Sequence, residues 1–195
     1  MIPPSHNTKT TRRIGATTYL GVGLVSAAVL LLDYSISLAC AVAQFYHFAF
    51  MAISLALLGS GASGSLLSIW RRRAHPAALA AGFALTTLGS YLVINYLEFD
   101  SYAIAWDWKQ VLFLAANLLS AAVPFTLAGV IVGQLLEADV GRAHRVYAAN
   151  LVGSAAGCVA VVPALGVLGG EGTVLLAALL GLLAAGTFMV RGISP

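Results

Sequence analysis

Charged side chains are scarce in this sequence. Only 9% of its 195 residues are Asp, Glu, Lys or Arg, whereas soluble domains carry about 25%. Hydrophobic residues make up 60%, so too few charged groups are present to cover the wet surface of a soluble domain. Cysteine is rare as well, and Cys40 and Cys158 lie in different apolar blocks at different depths, so we expect no disulfide. These shortages exclude a soluble globular protein.

The hydrophobic residues fall into blocks that are long enough to cross a bilayer, which takes about 20 residues per helix. The predicted fold class is an all-α membrane protein, a six-transmembrane-helix bundle. We predict its helices at about 16–43, 45–70, 77–97, 111–136, 147–168 and 173–190. A basic cytoplasmic segment, 1–14, precedes the transmembrane domain, 15–191, and a stub, 192–195, follows it. The first block is longer than the core of a signal peptide, about 7–15 residues, so it is predicted to remain as a helix.

The positive charges favour one orientation. Nine of the ten Lys and Arg residues flank helix ends that strict alternation places on the same side of the membrane. The other side receives Lys109 together with Glu98, Asp100, Asp107 and Glu171. Because short cytoplasmic loops carry the excess of Lys and Arg, both termini are predicted to be cytoplasmic. The basic balance is thus explained by topology, and no nucleic-acid partner is expected.

Two glycine clusters resemble nucleotide-binding loops, but we predict that they serve helix packing and a turn. The G-x-G-x-x-G sequence of residues 59–64 lies inside an apolar block and has no acid about 20 residues on. Small residues at four-residue spacing let another helix approach closely. These packing positions are Ser60, Gly64, Gly153 and Gly157. Residues 169–172 are predicted to form an external turn, and we expect no cofactor, metal or catalytic group in this chain.

A few polar residues lie inside the apolar blocks or at their ends. A carboxyl group such as that of Asp33 is costly inside a bilayer and is a functional-site hypothesis by default. The alternative is a neutral Asp33 that is hydrogen-bonded to another helix, and the sequence leaves both open. His47 and Asn150 are more simply explained as hydrogen-bonding groups between helices or at the interface. The candidate functional residues within the membrane are Asp33, Tyr46, His47 and Asn150.

Two stretches resemble a known family. Asp33 followed by YHFAFMAISLALLG at 46–59 resembles the first two membrane helices of spermidine synthase-like integral membrane proteins. RVYAANLVGSAAG at 145–157 resembles the fifth-helix motif of the same family. The resemblance implies a fold like half of a major-facilitator transporter. It also implies a cytoplasmic aminopropyltransferase-like domain, which would use decarboxylated S-adenosylmethionine and a diamine.

The sequence leaves two functions open. One is a membrane anchor or regulatory domain of a spermidine synthase-like protein, with the catalytic domain outside these 195 residues, so that the chain alone is not an enzyme. The other is a small polyamine or cation transporter that acts as a homo-oligomer, with Asp33 and His47 in the cation path. In both cases the lipid bilayer is the surrounding medium, and the expected location is the inner (plasma) membrane of a bacterium.

Overall fold

The computed structural model describes residues 15–43, 46–69, 74–96, 106, 108–138 and 140–190. All regular structure in these ranges is helical, which confirms the predicted all-α class for the described residues. The helices are α1 Ala16–Ala43, α2 Tyr46–Ile69, α3 Pro76–Tyr96, α4 Trp108–Ala138 and α5 Ala143–Val190, with a short 3-10 helix Val140–Arg142 before α5. The predicted terminal segments 1–14 and 192–195 lie outside these ranges.

Within the described residues, four helical stretches are long and apolar enough to cross a membrane. They are Ala16–Ala39, Pro76–Tyr96, Trp108–Ala138 and Val140–Val190. α2, Tyr46–Ile69, contains a further apolar stretch, Ile53–Ile69. These four stretches contain five of the six predicted helices, since the last stretch contains both the fifth and the sixth. The second predicted helix, 45–70, corresponds to α2.

α5 reverses its direction at Gly169. This residue has φ 70° and ψ −176°, a combination of positive φ and extended ψ that is essentially restricted to glycine. A straight helix of 48 residues would be about 72 Å long. Both ends of α5 nevertheless lie beside the start of α1, because Gly21 lies against Phe188 and Gly23 lies against Ala149. The predicted four-residue turn is thus a single residue, and α5 consists of a first segment (143–168) and a second segment (170–190).

The contacts between helices show how they are directed. Moving along α1 from Gly23 to Ala27 moves the contact on α5 from Gly153 to Gly157. α1 and the first segment of α5 are therefore parallel, and the second segment runs back beside them. α1 packs more extensively on α5 than any other pair of helices in the described chain.

The contacts of α2, α3 and α4 show that these helices also alternate in direction along the sequence. Gly59 of α2 lies against Ala122 of α4. Further along both helices, Leu67 of α2 lies against Gly133 of α4, so α2 and α4 are parallel. α3 runs antiparallel to α4, because its early residues meet the later part of α4 and Ser90 meets Ser120. The largest fully buried side chains fill the centre between these helices: Phe83, Phe125, Phe188, Leu31, Leu32 and Ile131.

A proline inside α4 explains one contact between helices. Pro124 has no N–H to donate to the carbonyl oxygen of Ser120, four residues earlier. The hydroxyl oxygen of Ser90 on α3 lies 2.5 Å from the Ser120 carbonyl oxygen and 2.8 Å from the Thr86 carbonyl oxygen of its own helix. With one proton it donates to one of these acceptors at a time, and when it donates to Ser120 it replaces the missing N–H. An unpaired carbonyl in the bilayer core costs several kcal/mol, so this hydrogen bond satisfies α4 and joins α3 to it.

Candidate functional site

One face of α1 carries a row of polar side chains. Tyr19, Ser26 and Asp33 are spaced seven residues apart, which is about 20° short of two helical turns, and Ser37 follows one turn later. We call these four residues the α1 polar row. At about 1.5 Å per residue the row is about 27 Å long, close to the roughly 30 Å thickness of a bilayer's hydrocarbon core.

Three oxygen atoms of the α1 polar row are buried and have no hydrogen-bond partner among the described residues. They are Tyr19 Oη, Asp33 Oδ1 and Ser37 Oγ. Burying a polar atom without a partner is costly, and the cost is larger for a carboxylate than for a hydroxyl. Asp33 as a whole is half-buried, so its carboxyl group is enclosed on one side only. The row therefore presents acceptors that a proton, an ammonium group or another small cation would satisfy.

Ser26, the fourth member of the row, joins α1 to α5. Its hydroxyl oxygen lies 2.7 Å from Asn150 Oδ1 and 2.8 Å from the Val22 carbonyl oxygen. A hydroxyl group has one proton, so Ser26 donates to one of these acceptors at a time. Asp33 lies seven residues further along α1, about 10.5 Å along the helix axis. The structure therefore pairs Asn150 with Ser26 and does not bring it to Asp33.

Glycine allows α1 and α5 to approach closely beside this hydrogen bond. Gly153 and Gly157 are both buried. A Cβ atom at Gly153 would lie 2.6 Å from the Cα atom of Gly23, and one at Gly157 would lie 2.7 Å from the Ala27 carbonyl oxygen. Real Cβ atoms essentially never come this close to other atoms. The two glycines thus place the backbones of α1 and α5 in direct contact, one turn from Asn150.

The two packing positions predicted on α2, Ser60 and Gly64, are exposed. Gly64 is exposed, and a Cβ atom there would meet nothing within 4 Å. Ser60 is exposed too, although its Cα atom lies 3.4 Å from a Cβ built on Gly129 of α4. The buried small residues that meet α4 are Gly59 and Ser63, one position earlier in each case. Four-residue spacing reveals a smooth helix face, but α2 has two such faces side by side, and only packing selects between them.

Tyr46 and His47 are the first two residues of α2, and their side chains lie outside the described part of the structure. Asp33 lies ten residues before Ala43, the end of α1, which is about 15 Å along the axis. A cation path that joins Asp33 to His47 therefore stays a prediction.

Sequence reasoning identified Asp33 but missed the row to which it belongs. The available signal was the seven-residue spacing of Tyr19, Ser26 and Asp33, yet serine and tyrosine are ordinary residues in membrane helices. Three further buried oxygens have no partner among the described residues and were not predicted as a site: Thr17 Oγ1 on α1, Thr87 Oγ1 on α3 and Asn117 Oδ1 on α4. Burial of a specific atom is a tertiary property, which explains why the pattern was not sufficient.

In the part of the chain that the structure describes, no three His, Cys, Asp or Glu residues come together as a group that could hold a metal ion. Cys158 is an exposed thiol on α5. The chemistry offered by the α1 polar row is hydrogen bonding and, when Asp33 is ionised, a negative charge within a membrane-spanning helix.

No protein-family model, curated protein or solved structure matches the chain. The similarity of residues 46–59 and 145–157 to spermidine synthase-like membrane proteins therefore stays a prediction that rests on those two stretches.

Proposed function

We propose that the chain crosses the inner (plasma) membrane of a bacterium six times and that both of its termini are cytoplasmic. The alternating helix directions and the reversal at Gly169 support six crossings, and the distribution of Lys and Arg supports the orientation. Reporter domains fused after Arg73 and after Arg145 should then report a cytoplasmic position, and a reporter after Asp107 an external one. An external signal after Arg73 would contradict this topology.

The function that the geometry supports best is the binding and movement of a proton or a small cation, such as a polyamine, along the α1 polar row. The observation that carries this proposal is the buried Oδ1 atom of Asp33, which has no hydrogen-bond partner among the described residues. An aspartate at the centre of a membrane helix costs about 2.5–3.5 kcal/mol on insertion scales. A packing role alone does not require that cost, whereas a cation site does require the carboxyl group. In this function the chain acts as a homo-oligomer.

The proposal is tested with the purified chain in proteoliposomes. Uptake of labelled putrescine and acidification of the lumen are measured with and without a pH gradient. Asp33→Asn keeps the size and the hydrogen-bonding capacity of the side chain but removes its charge and its proton. We expect this variant to lose uptake at least tenfold and to lose the dependence of uptake on pH.

Glu137→Gln is the matched control, because Glu137 is an exposed carboxylate at the end of α4. It should keep the wild-type rate. Both variants are first compared with the wild type by size-exclusion chromatography and thermal unfolding, so that loss of fold is separated from loss of function. A wild-type rate and pH profile in Asp33→Asn would refute the cation function.

The resemblance of residues 46–59 and 145–157 favours a second function, a membrane anchor or regulatory domain for a cytoplasmic aminopropyltransferase-like domain. In this function the bundle holds an enzyme at the membrane and performs no chemistry itself. The purified chain should then neither bind decarboxylated S-adenosylmethionine nor transfer an aminopropyl group to putrescine.

Fractionation tests the anchor function directly. An aminopropyltransferase-like enzyme encoded beside this chain should sediment with membranes when the two are co-expressed, and should stay in the soluble fraction when it is expressed alone. The same soluble distribution in both cases would contradict the anchor function. Saturable binding of the nucleoside by the purified chain in calorimetry would instead show a catalytic site within it.

A further inference from the structure

A second set of polar groups lies where α3 packs on the second segment of α5. Gly181 of α5 lies against Phe83 of α3. Ten residues earlier on α5, the exposed Glu171 meets Tyr91, eight residues later on α3, so the two helices are antiparallel. The Tyr91 hydroxyl donates a hydrogen bond to the Glu171 carboxylate. This pair lies at the end of the bundle where α5 reverses, because Glu171 follows Gly169 by two residues.

Thr87 lies one helical turn before Tyr91 on the same face of α3. It is fully buried, and its Oγ1 atom has no hydrogen-bond partner among the described residues. The neighbouring Thr86 and Ser90 instead donate to carbonyl oxygens one turn earlier in their own helix, a common way to satisfy a hydroxyl group in a helix. Burying a hydroxyl group without a partner is costly, and a ligand that hydrogen-bonds to Thr87 would offset that cost. We call Thr87, Tyr91 and Glu171 the α3–α5 polar row.

Thr87 and Asp33 lie at about the same depth in the bundle. The contacts of α5 with Gly21 of α1 and with Phe83 of α3 relate the levels of the two helices. Measured from Gly21 at about 1.5 Å per residue, Asp33 lies about 18 Å along the bundle and Thr87 about 17 Å. Glu171 lies about 25 Å from the same level. The α3–α5 polar row therefore extends from an exposed carboxylate at the end of the bundle to the depth of Asp33.

We propose that the α3–α5 polar row is the entrance to the cation site, an inference that rests on the proposed cation function. Glu171 binds an ammonium group where α5 reverses, and the hydroxyl oxygens of Tyr91 and Thr87 accept hydrogen bonds from it on the way to the depth of Asp33. An ammonium group has only donors, which suits a row of one carboxylate and two hydroxyl groups. A divalent cation such as Ca²⁺ takes about 6–8 oxygen ligands, whereas a single carboxylate balances the charge of a monovalent cation.

A thiol introduced at Thr87 reports whether an ammonium group reaches this buried position. Thr87→Cys is made in a Cys40→Ser, Cys158→Ser background, reconstituted in vesicles and treated with 2-aminoethyl methanethiosulfonate, which carries an ammonium group and forms a mixed disulfide as methanesulfinate leaves. Thr86→Cys is the matched control, because Thr86 is the neighbouring residue but lies off the row. We expect the thiol at Thr87 to react at least about tenfold faster, because hydrogen bonds of one charged group differ by that factor, and putrescine to slow its reaction. Equal rates at the two positions would overturn the proposal.

The charge of Glu171 is tested in the same assay. Glu171→Gln should slow the reaction of the cationic reagent at Thr87→Cys about tenfold, the effect of one charge-assisted hydrogen bond, and should leave the rate of the neutral methyl methanethiosulfonate unchanged. Glu137→Gln, which changes an exposed carboxylate at the opposite end of the bundle, should leave both rates unchanged. An unchanged rate of the cationic reagent in Glu171→Gln, with helix content retained, would overturn the proposal. The two proposals fail separately: wild-type uptake in Asp33→Asn refutes the cation function, whereas an unreactive thiol at Thr87 beside Asp33-dependent uptake overturns the entrance alone.

Discussion

Gly153→Ala tests the closest contact in the bundle. The added Cβ atom would lie 2.6 Å from the Cα atom and 2.7 Å from the carbonyl carbon of Gly23, and ordinary contacts begin at 3.4 Å. These neighbouring atoms are backbone, so no side chain can rotate away. α1 and α5 must therefore separate by roughly 1 Å at this level, where Ser26 and Asn150 form their 2.7 Å hydrogen bond.

The expected loss follows from that displacement. A gap of about 1 Å removes a quarter to a half of the dispersion energy of each contact across the interface, and inserting a methyl group into a well-packed core typically costs about 1–3 kcal/mol. Alanine has a higher helix propensity than glycine by about 1 kcal/mol, which offsets part of this cost. We expect a net destabilisation of about 1–2 kcal/mol for Gly153→Ala.

Gly186→Ala is the matched control on the same helix, because nothing lies within 4 Å of a Cβ atom built there. It should be neutral or stabilise by up to about 1 kcal/mol, from helix propensity alone. The free energy of unfolding is measured by titrating SDS into mixed micelles and following helix content by circular dichroism. If Gly153→Ala is as stable as Gly186→Ala, α1 and α5 are not in backbone contact and the reasoning fails.

Two further substitutions test single atoms with the same titration. Ser90→Ala should destabilise by about 1–3 kcal/mol, because the Ser120 carbonyl oxygen then lacks a donor. The control Ser60→Ala removes only a hydrogen bond within its own helix and should change the stability little. Equal effects of the two substitutions would contradict the role of Ser90. Gly169→Ala should cost about 1–3 kcal/mol, because φ of 70° with ψ of −176° is essentially restricted to glycine. Gly170→Ala, which has no positive φ, is its control, and an equal cost at both would show that the conformation of Gly169 is not the cause.

The predicted helix positions came close to the structure because each depends on local composition. The first predicted helix, 16–43, coincides with α1. The third, 77–97, begins one residue after the start of α3, and residue 97 lies outside the described residues. The turn between the fifth and sixth predicted helices was placed at 169–172, where the structure reverses at Gly169 alone. A cluster of glycines marks a turn, but which glycine takes a positive φ depends on how the two segments meet α1.

The candidate site was only partly predictable for a similar reason. An acid inside an apolar block is visible in the sequence, so Asp33 could be identified without a structure. The enclosure of its Oδ1 atom, and its alignment with Tyr19 and Ser37, require the neighbouring helices to be in place. Asn150 was identified as well, but its partner Ser26 lies 124 positions away in sequence, and nothing local connects the two.

The sequence by itself determined that this chain forms helices for a membrane and which helix ends carry the positive charge. Both properties are sums over neighbouring residues: hydropathy over about 20 positions and charge over short loops. Only the tertiary structure decided which small residues are packing positions, so that Gly153 is buried against Gly23 while Gly64 is exposed. The physical reason is that a glycine contributes to packing only where a second backbone reaches it, and that contact is fixed by the rotation of each helix about its axis.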